Sequence, residues 1–388
     1  MPPPQNSHAL PLEIELVQSA DQREIETYVH QYATDLCADL GLPVTISVSL
    51  KVLDQETFNQ PGLFRIVVAG QPCRWPWWPQ PILPDRPSAQ DVAELICLAL
   101  YRCREFLLTS DLVRLIASDW GIADGNGYRP DWSPEAFLYF LRAFPKYNFS
   151  LSHAHRFITA FSAGVSSESD AAYLFEQAME ETTDLVFGPA VTVCPEEYSE
   201  EHKPEYDESF KSLTKDLNGN MGLVYPEIRI KFGQLMPGEF QIQLNDVHLP
   251  VIRGLARREI LLLDNRSDLT AREITTSQLF DPIGCYWLPC AEDSPEIRTT
   301  RVKVWSGGPV SYLQNSLSLI ILGDAGCLLV SPVVHLLLEN LKKTAANAVS
   351  SVRTQFGESP PFHRRLTVIL RRLLDEQVPI VEIGRAHV

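Results

Sequence analysis

Hydrophobic and polar positions follow two periods along this chain, and the switches between them mark its elements. Leu12, Ile14 and Leu16 alternate with Glu13 and Glu15, the period-two pattern of a half-buried strand. Ile25, Val29, Tyr32, Leu36 and Leu40 then recur at steps of three and four, which predicts an amphipathic helix over residues 21–40. Asp21 stands as its N-cap with Glu24 at capping-box spacing, and Gly41 stops it. Residues 44–52 and 63–69 return to period two, with a Gln60-Pro61-Gly62 turn between them. Residues 88–108 and 110–120 read as helices, and Ser133-Pro134-Glu135 opens another that runs to Phe144. Residues 148–151 read as extended chain and 152–161 as helix.

The second half shows the same alternation of periods. Residues 166–181 predict an acidic amphipathic helix, 185–187 a short strand, and 226–232 and 240–244 strands around a Pro237-Gly238 turn. Residues 195–209, PEEYSEEHKPEYDES, form an acidic solvated tract, a loop or the exposed start of a helix. A short helix is expected over 270–276 and a strand over 298–305. Two helices close the chain. One carries the stripe Val334, Leu337, Leu338, Leu341 and Ala345; the other carries Leu366, Ile369, Leu370, Leu373 and Leu374, with Arg364, Arg365, Arg371 and Arg372 on its other faces.

The halves also read alike. Gly41-Leu42 with Pro43 compares with Gly222-Leu223 with Pro226, and the strand FRIVVAG from Phe64 compares with FQIQLND from Phe240. LRAFPKYNFSL from Leu141 lies without a gap over LRRLLDEQVPI from Leu370, and residues 12–16 are set against 184–188. This is the signature of a tandem duplication.

The run from Val368 to Ile380 (VILRRLLDEQVPI) and Pro332-Val333-Val334-His335-Leu336 resemble the cytoplasmic domain of the FHIPEC family, the FlhA/SctV-like export-gate proteins of flagellar and injectisome type III secretion. That family shows "VL-x-x-LL-x-E-x-V-x-I" and a Pro followed by a helix of the "HL" type. Phe280-Asp281-Pro282-Ile283-Gly284 with Trp287-Leu288 resembles its "P-x-FGLPA-x-WI" stretch. The resemblance implies an α+β fold of two tandem multi-subdomain units, each with a small mixed sheet flanked by helices plus a helical subdomain. The expected organisation is a Pro-rich lead over 1–10, a first unit over 11–165, a connecting helix over 166–183, and a second unit over 184–381 with an insert at 250–325. Residues 382–388, EIGRAHV, leave the family pattern, and the DNA that encodes them resembles a sequencing adapter, so they are read as a non-native tail.

Composition narrows the function. The net charge is −16, which argues against nucleic acid and anionic lipid, since both ask for a basic face. No run of about 18 apolar residues is present, so no direct membrane span is expected. Eight scattered cysteines without a CxxC pair read as reduced, buried thiols of a cytoplasmic protein. His153 and His155 point apart on a helix, Cys285 and Cys290 lack further ligands, and the glycines of 121–127 lack the Lys-Ser/Thr of a phosphate loop. The chain therefore reads as a non-enzyme with no cofactor and no metal.

What the resemblance implies instead is docking of export substrates and chaperones, contact with other secretion-apparatus proteins, a homo-oligomeric ring, and a place in the cytoplasm at the inner face of the membrane. The alternative is a soluble interaction scaffold that kept the fold without the export role. The candidate partner contacts are Trp75, Trp77 and Trp78 in the first unit and Phe280, Tyr286 and Trp287 in the second, aromatics of the kind that anchor interfaces.

Overall fold

The computed structural model of the chain describes residues 8–16, 21–53, 64–73, 88–124, 127–128, 133–157, 165, 167–182, 187–195, 202–221, 227–263, 279–280, 286–291, 303–344, 346–347, 350, 354, 360–376, 378 and 380. It is α+β, with mixed sheets flanked by helices.

The first sheet is built from β1 (His8–Leu16), β2 (Val44–Val52), β3 (Phe64–Val68) and β4 (Gln71–Pro72), in the order β2-β1-β3-β4. β1 runs parallel to β2 and antiparallel to β3. The parallel pair is joined by α1 (Gln22–Asp39), as a parallel pair needs a crossover. Asp21 caps α1 by accepting from the backbone N–H groups of Arg23 and Glu24. Ile25, Val29, Tyr32 and Leu36 are buried, as their spacing predicts. Gly41 closes the helix with φ +64°, a conformation that suits glycine, and the Leu42 N–H reaches back to the Cys37 carbonyl. Next come α2 (Ala89–Arg102), a 3-10 turn (Arg104–Leu107), α3 (Ser110–Asp119), the small pair β5 (Ala123–Asp124) and β6 (Gly127–Tyr128), and α4 (Pro134–Lys146). The expected helix over 152–161 is a 3-10 segment, Leu151–Phe157, over its described part.

After α5 (Glu168–Glu181) the same order returns. β7 (Pro189–Val193), α6 (Lys203–Met221), β8 (Arg229–Phe232), β9 (Glu239–Leu244) and β10 (Val247–His248) form a sheet in the order β8-β7-β9-β10, with β11 (Ile252–Arg253) also on β9. β7 is parallel to β8 and antiparallel to β9. Then follow β12 (Glu259–Leu262), β13 (Leu279–Phe280), β14 (Tyr286–Ala291), α7 (Pro309–Gly323), a 3-10 turn (Ala325–Leu328), α8 (Ser331–Thr344) and α9 (Pro360–Asp375).

Phe64 faces Leu16 in the first sheet, and Phe240 faces Val193 in the second. Val48 and Ile228 are buried, with Val52 and Phe232 exposed at the strand ends. Residues 184–186 of the expected strand 185–187 and of its comparison with 12–16 lie outside the described residues. The expected strand at 298–305 is reduced, among described residues, to a bridge between Val304 and Leu262. The expected helix at 270–276 lies outside the described residues. The acidic tract opens a full helix, α6, whose Tyr206, Phe210, Leu213 and Leu217 are buried at steps of four, three and four. In α1, Ile25, Val29, Tyr32 and Leu36 have the same steps.

Buried charge joins the halves. Asp324 receives Arg102 Nη1 at 2.6 Å, Arg104 Nη2 at 3.2 Å and the Tyr101 hydroxyl at 3.3 Å. Arg371, expected on an outer face, is 1% exposed. It pairs with Glu176 of α5 at 3.0 Å and lies over the Tyr147 ring, with Cζ 4.1 Å from the centroid. Ile369, expected in the stripe, is 56% exposed. Around Arg371, α5 and α9 add the pairs Arg364–Glu180 and Arg372–Glu168. The β9–β10 turn meets the first half as well: Asn245 Nδ2 donates to the carbonyls of Tyr147 and Cys327.

Glu94 on α2 shows what such burial does to a carboxylate. It is 9% exposed with Gln90 as its hydrogen-bond donor, and burial pushes its carboxyl up to about 7. The folded chain therefore holds a proton that the unfolded chain releases at lower pH, so stability falls as pH rises from about 4.5 towards 7. Glu94→Gln is expected to remove part of this slope, on the order of a few kcal/mol between pH 5 and 8. Urea unfolding at both pH values measures it; an unchanged slope refutes the assignment.

Candidate docking site

A groove opens where the second sheet's helix, α6, meets α7 and the strand β12. The buried stripe of α6 supplies Leu213 and Leu217, and α7 supplies Tyr312 and Leu322. Tyr312 is buried with its ring 6.5 Å from that of Phe240, so this wall is tied to the sheet core. Ser209 Oγ donates to Gln314 Oε1 at 3.0 Å and links the two helices.

The third wall is β12 and the chain beside it. The Trp305 N–H donates to the Leu261 carbonyl and the Leu263 N–H to the Lys303 carbonyl, both at 2.9 Å. This pairing places Leu261 and the half-buried Trp305 in the groove. The Trp305 ring lies over Gly307, where a Cβ would clash with it. The volume is about 470 Å³, and Asp216, Ser311, Gln314, Asn315 and Ser318 stand as polar groups beside the apolar walls. Leu263 and Val304, close to Leu261 and Trp305 in the chain, are 51% and 40% exposed. A groove of mixed apolar and polar lining can accept an amphipathic helix or a strand of a partner.

Phe280 and Tyr286 are cross-strand partners in the β13–β14 pair, and Trp287 faces Leu279. All three lie in the sheet β12-β14-β13, whose outer strand β12 forms the groove wall. Trp75, Trp77 and Trp78 lie outside the described residues. Trp305, Tyr312, Leu213 and Leu217 were missed as site residues; the four-three-four steps of α6 were the readable signal, masked by the acidic residues between them.

The two histidines weighed as metal ligands have structural partners, and Cys285 lies outside the described residues. His153 Nε2 lies 2.9 Å from Asp246 Oδ2, and the His155 ring meets Trp120 edge-on at 5.3 Å. Among the described residues no group of three metal-ligating side chains forms, and no helix is long and apolar enough to cross a membrane.

Comparison with known proteins adds three findings. The FHIPEP family model matches residues 164–385, more than half of the chain and the whole of the groove. No curated protein matches the chain. Among solved structures, the Chlamydia pneumoniae CdsV protein is 17% identical with a TM-score of 0.42, over 52% of this chain and 61% of that one. The Shigella flexneri MxiA protein is 11% identical with a TM-score of 0.37, over 52% and 57%. Nonameric EPEC SctV-C is 11% identical with a TM-score of 0.38, over 53% and 60%. The chain thus spans about three fifths of the length of these solved chains.

Proposed function

The chain belongs to the FHIPEP family, the export-gate family its sequence resembles, and from that premise we propose that it is a non-enzymatic docking component of type III protein secretion or flagellar export. Its partners are export substrates with their chaperones, other apparatus proteins, and further copies of itself in a ring. It works in the cytoplasm, held at the inner face of the membrane through the apparatus. The observation that carries this reading is the groove between α6, α7 and β12, which lies wholly inside the family-matched stretch. A partner's amphipathic helix fits its walls, and an overall charge of −16 suits basic partner segments. Phe280, Tyr286 and Trp287 extend the contact along the neighbouring sheet in this proposal, and Trp75, Trp77 and Trp78 form a second contact.

The proposal includes two tandem units, 11–165 and 184–381, with 166–183 as the connecting helix. Three observations support it. β2-β1-β3-β4 and β8-β7-β9-β10 share order and strand senses. α1 packs on α2 as α6 packs on α7. Arg142 donates to the Leu108 carbonyl and Arg371 to the Leu329 carbonyl, so the aligned arginines of LRAF and LRRL hold matching positions of FLLTS and CLLVS. On this reading α7 answers α2, and the insert closes before Pro309.

Surface plasmon resonance with a chaperone–cargo pair from the same genome tests the function. Wild-type chain is expected to bind saturably, and Trp305→Ala to weaken binding about tenfold or more while staying folded. Absence of binding to any export chaperone supports the scaffold alternative instead; equal binding by Trp305→Ala removes the groove from the account.

A further inference from the structure

Among the described residues six cysteines are buried, and Cys73 alone is half-buried. Cys73 follows β4, and its N–H donates to the Ile66 carbonyl at 2.8 Å, one more rung on the β3–β4 pair. Cys103 ends α2. Its N–H donates to the carbonyls of Ala99 and Leu100 at 2.9 and 3.1 Å, and its side chain is 2% exposed. The end of the hairpin and the end of the helix thus bring two thiols together, and the Cys103 S–H donates to the Cys73 sulfur. The Arg142 guanidinium acts on the same sulfur, itself held by two hydrogen bonds to the Leu108 carbonyl.

The surroundings separate Cys73 from the other thiols. Burial pushes Cys37 and Cys327 up to about 12 and raises Cys97 as well, which leaves them as unreactive thiols. Cys73 moves the other way. The hydrogen bond from Cys103 lowers its thiol and outweighs burial, and the positive charge of Arg142 adds to the lowering. The same contact, together with burial, pushes Cys103 up, so Cys103 keeps its proton. The thiolate is the form that oxidants attack, and a thiol in contact with it can turn the first oxidation product into a disulfide.

We propose that Cys73 and Cys103 are a peroxide-oxidised pair, with Cys73 as the attacking sulfur and Cys103 as the resolving one. The Cys73 thiolate attacks hydrogen peroxide. A sulfur–oxygen bond forms as the oxygen–oxygen bond breaks, which gives the sulfenic acid and hydroxide. The Cys103 sulfur then displaces the hydroxyl from Cys73. The sulfur–sulfur bond forms, the sulfur–oxygen bond breaks, and the Cys103 proton leaves with the hydroxyl as water. Two thiols are oxidised for one peroxide reduced, and a small dithiol reverses the step by exchange. The disulfide ties the β3–β4 hairpin to the end of α2 and restricts the unfolded chain. Neither this pair nor the export reading depends on the other.

Titration of the reduced full chain with hydrogen peroxide, read by thiol count and by mass spectrometry of the unreduced digest, tests it. The count is expected to fall by two from the eight of the reduced chain, with a Cys73–Cys103 cross-link that dithiothreitol removes. Cys103→Ser is expected to stop the reaction at the sulfenic acid of Cys73, which dimedone traps. Cys73→Ser is expected to leave Cys103 reduced at the same peroxide concentration, and it serves alone if Cys103→Ser does not fold, since Cys73 is the half-buried partner. A first adduct on another cysteine, a cross-link between other cysteines, oxidation of Cys103 in Cys73→Ser, or eight free thiols after treatment overturns the proposal.

Discussion

Arg371→Met is expected to destabilise the chain by about 3–5 kcal/mol at pH 8, the largest single loss the structure predicts. The substitution keeps most of the side-chain volume and removes the charge, so the cost is electrostatic. It leaves the Glu176 carboxylate, 1% exposed, without its countercharge, and the Leu329 carbonyl without its donor. The loss depends on pH in a definite direction. Glu176 already sits at about 7, above its ordinary value, so the folded chain takes up a proton on folding and becomes less stable as pH rises from about 4.5 towards 7. Without Arg371 the carboxyl rises further, and protonation relieves the unpaired charge at lower pH. The deficit against wild type is therefore expected to shrink between pH 8 and pH 5.5. Urea unfolding across that range measures it; a deficit that grows on acidification contradicts the assignment.

Asp324→Ala is the second large loss, again about 3–5 kcal/mol, because it strips the countercharge from Arg104, which is 4% exposed. The carbonyls of Tyr101, Pro145 and Lys146 still receive Arg104, so its hydrogen bonds to the backbone survive while the one to Asp324 is lost and its charge is left buried. The neighbouring pair Lys146–Asp375 provides the internal comparison. Its side chains are 41% and 26% exposed, and Lys146→Ala is expected to cost about 1 kcal/mol or less for the ion pair. Equal losses for Asp324→Ala and Lys146→Ala would mean that burial is not what gives the seam its strength.

Elements whose signal is local were legible in the chain itself. Asp21 with the stripe through Leu36 gives α1, and the alternation of residues 44–52 gives β2, because caps and periods act within a few residues. The same holds for FRIVVAG and FQIQLND, whose alternation gives the strands that begin at Phe64 and Glu239. The strand Pro189–Val193 has no period-two alternation to mark it, because it is buried on both faces. What stayed hidden depends on contacts far apart in sequence. Arg371 reads as a surface arginine until Glu176 and Tyr147, about two hundred positions earlier, close over it. The groove was invisible for the same reason: Leu217, Leu261 and Trp305 meet only after α6, β12 and α7 have packed.

Hydrogen exchange followed by mass spectrometry, with and without a saturating export chaperone–cargo complex, tests the docking account most directly. Exchange is expected to slow in α6, α7 and residues 303–305, the three walls of the groove, while α1 and α2 of the first half stay unchanged. Protection confined to other surfaces, or none at a concentration where the complex is bound, would contradict it.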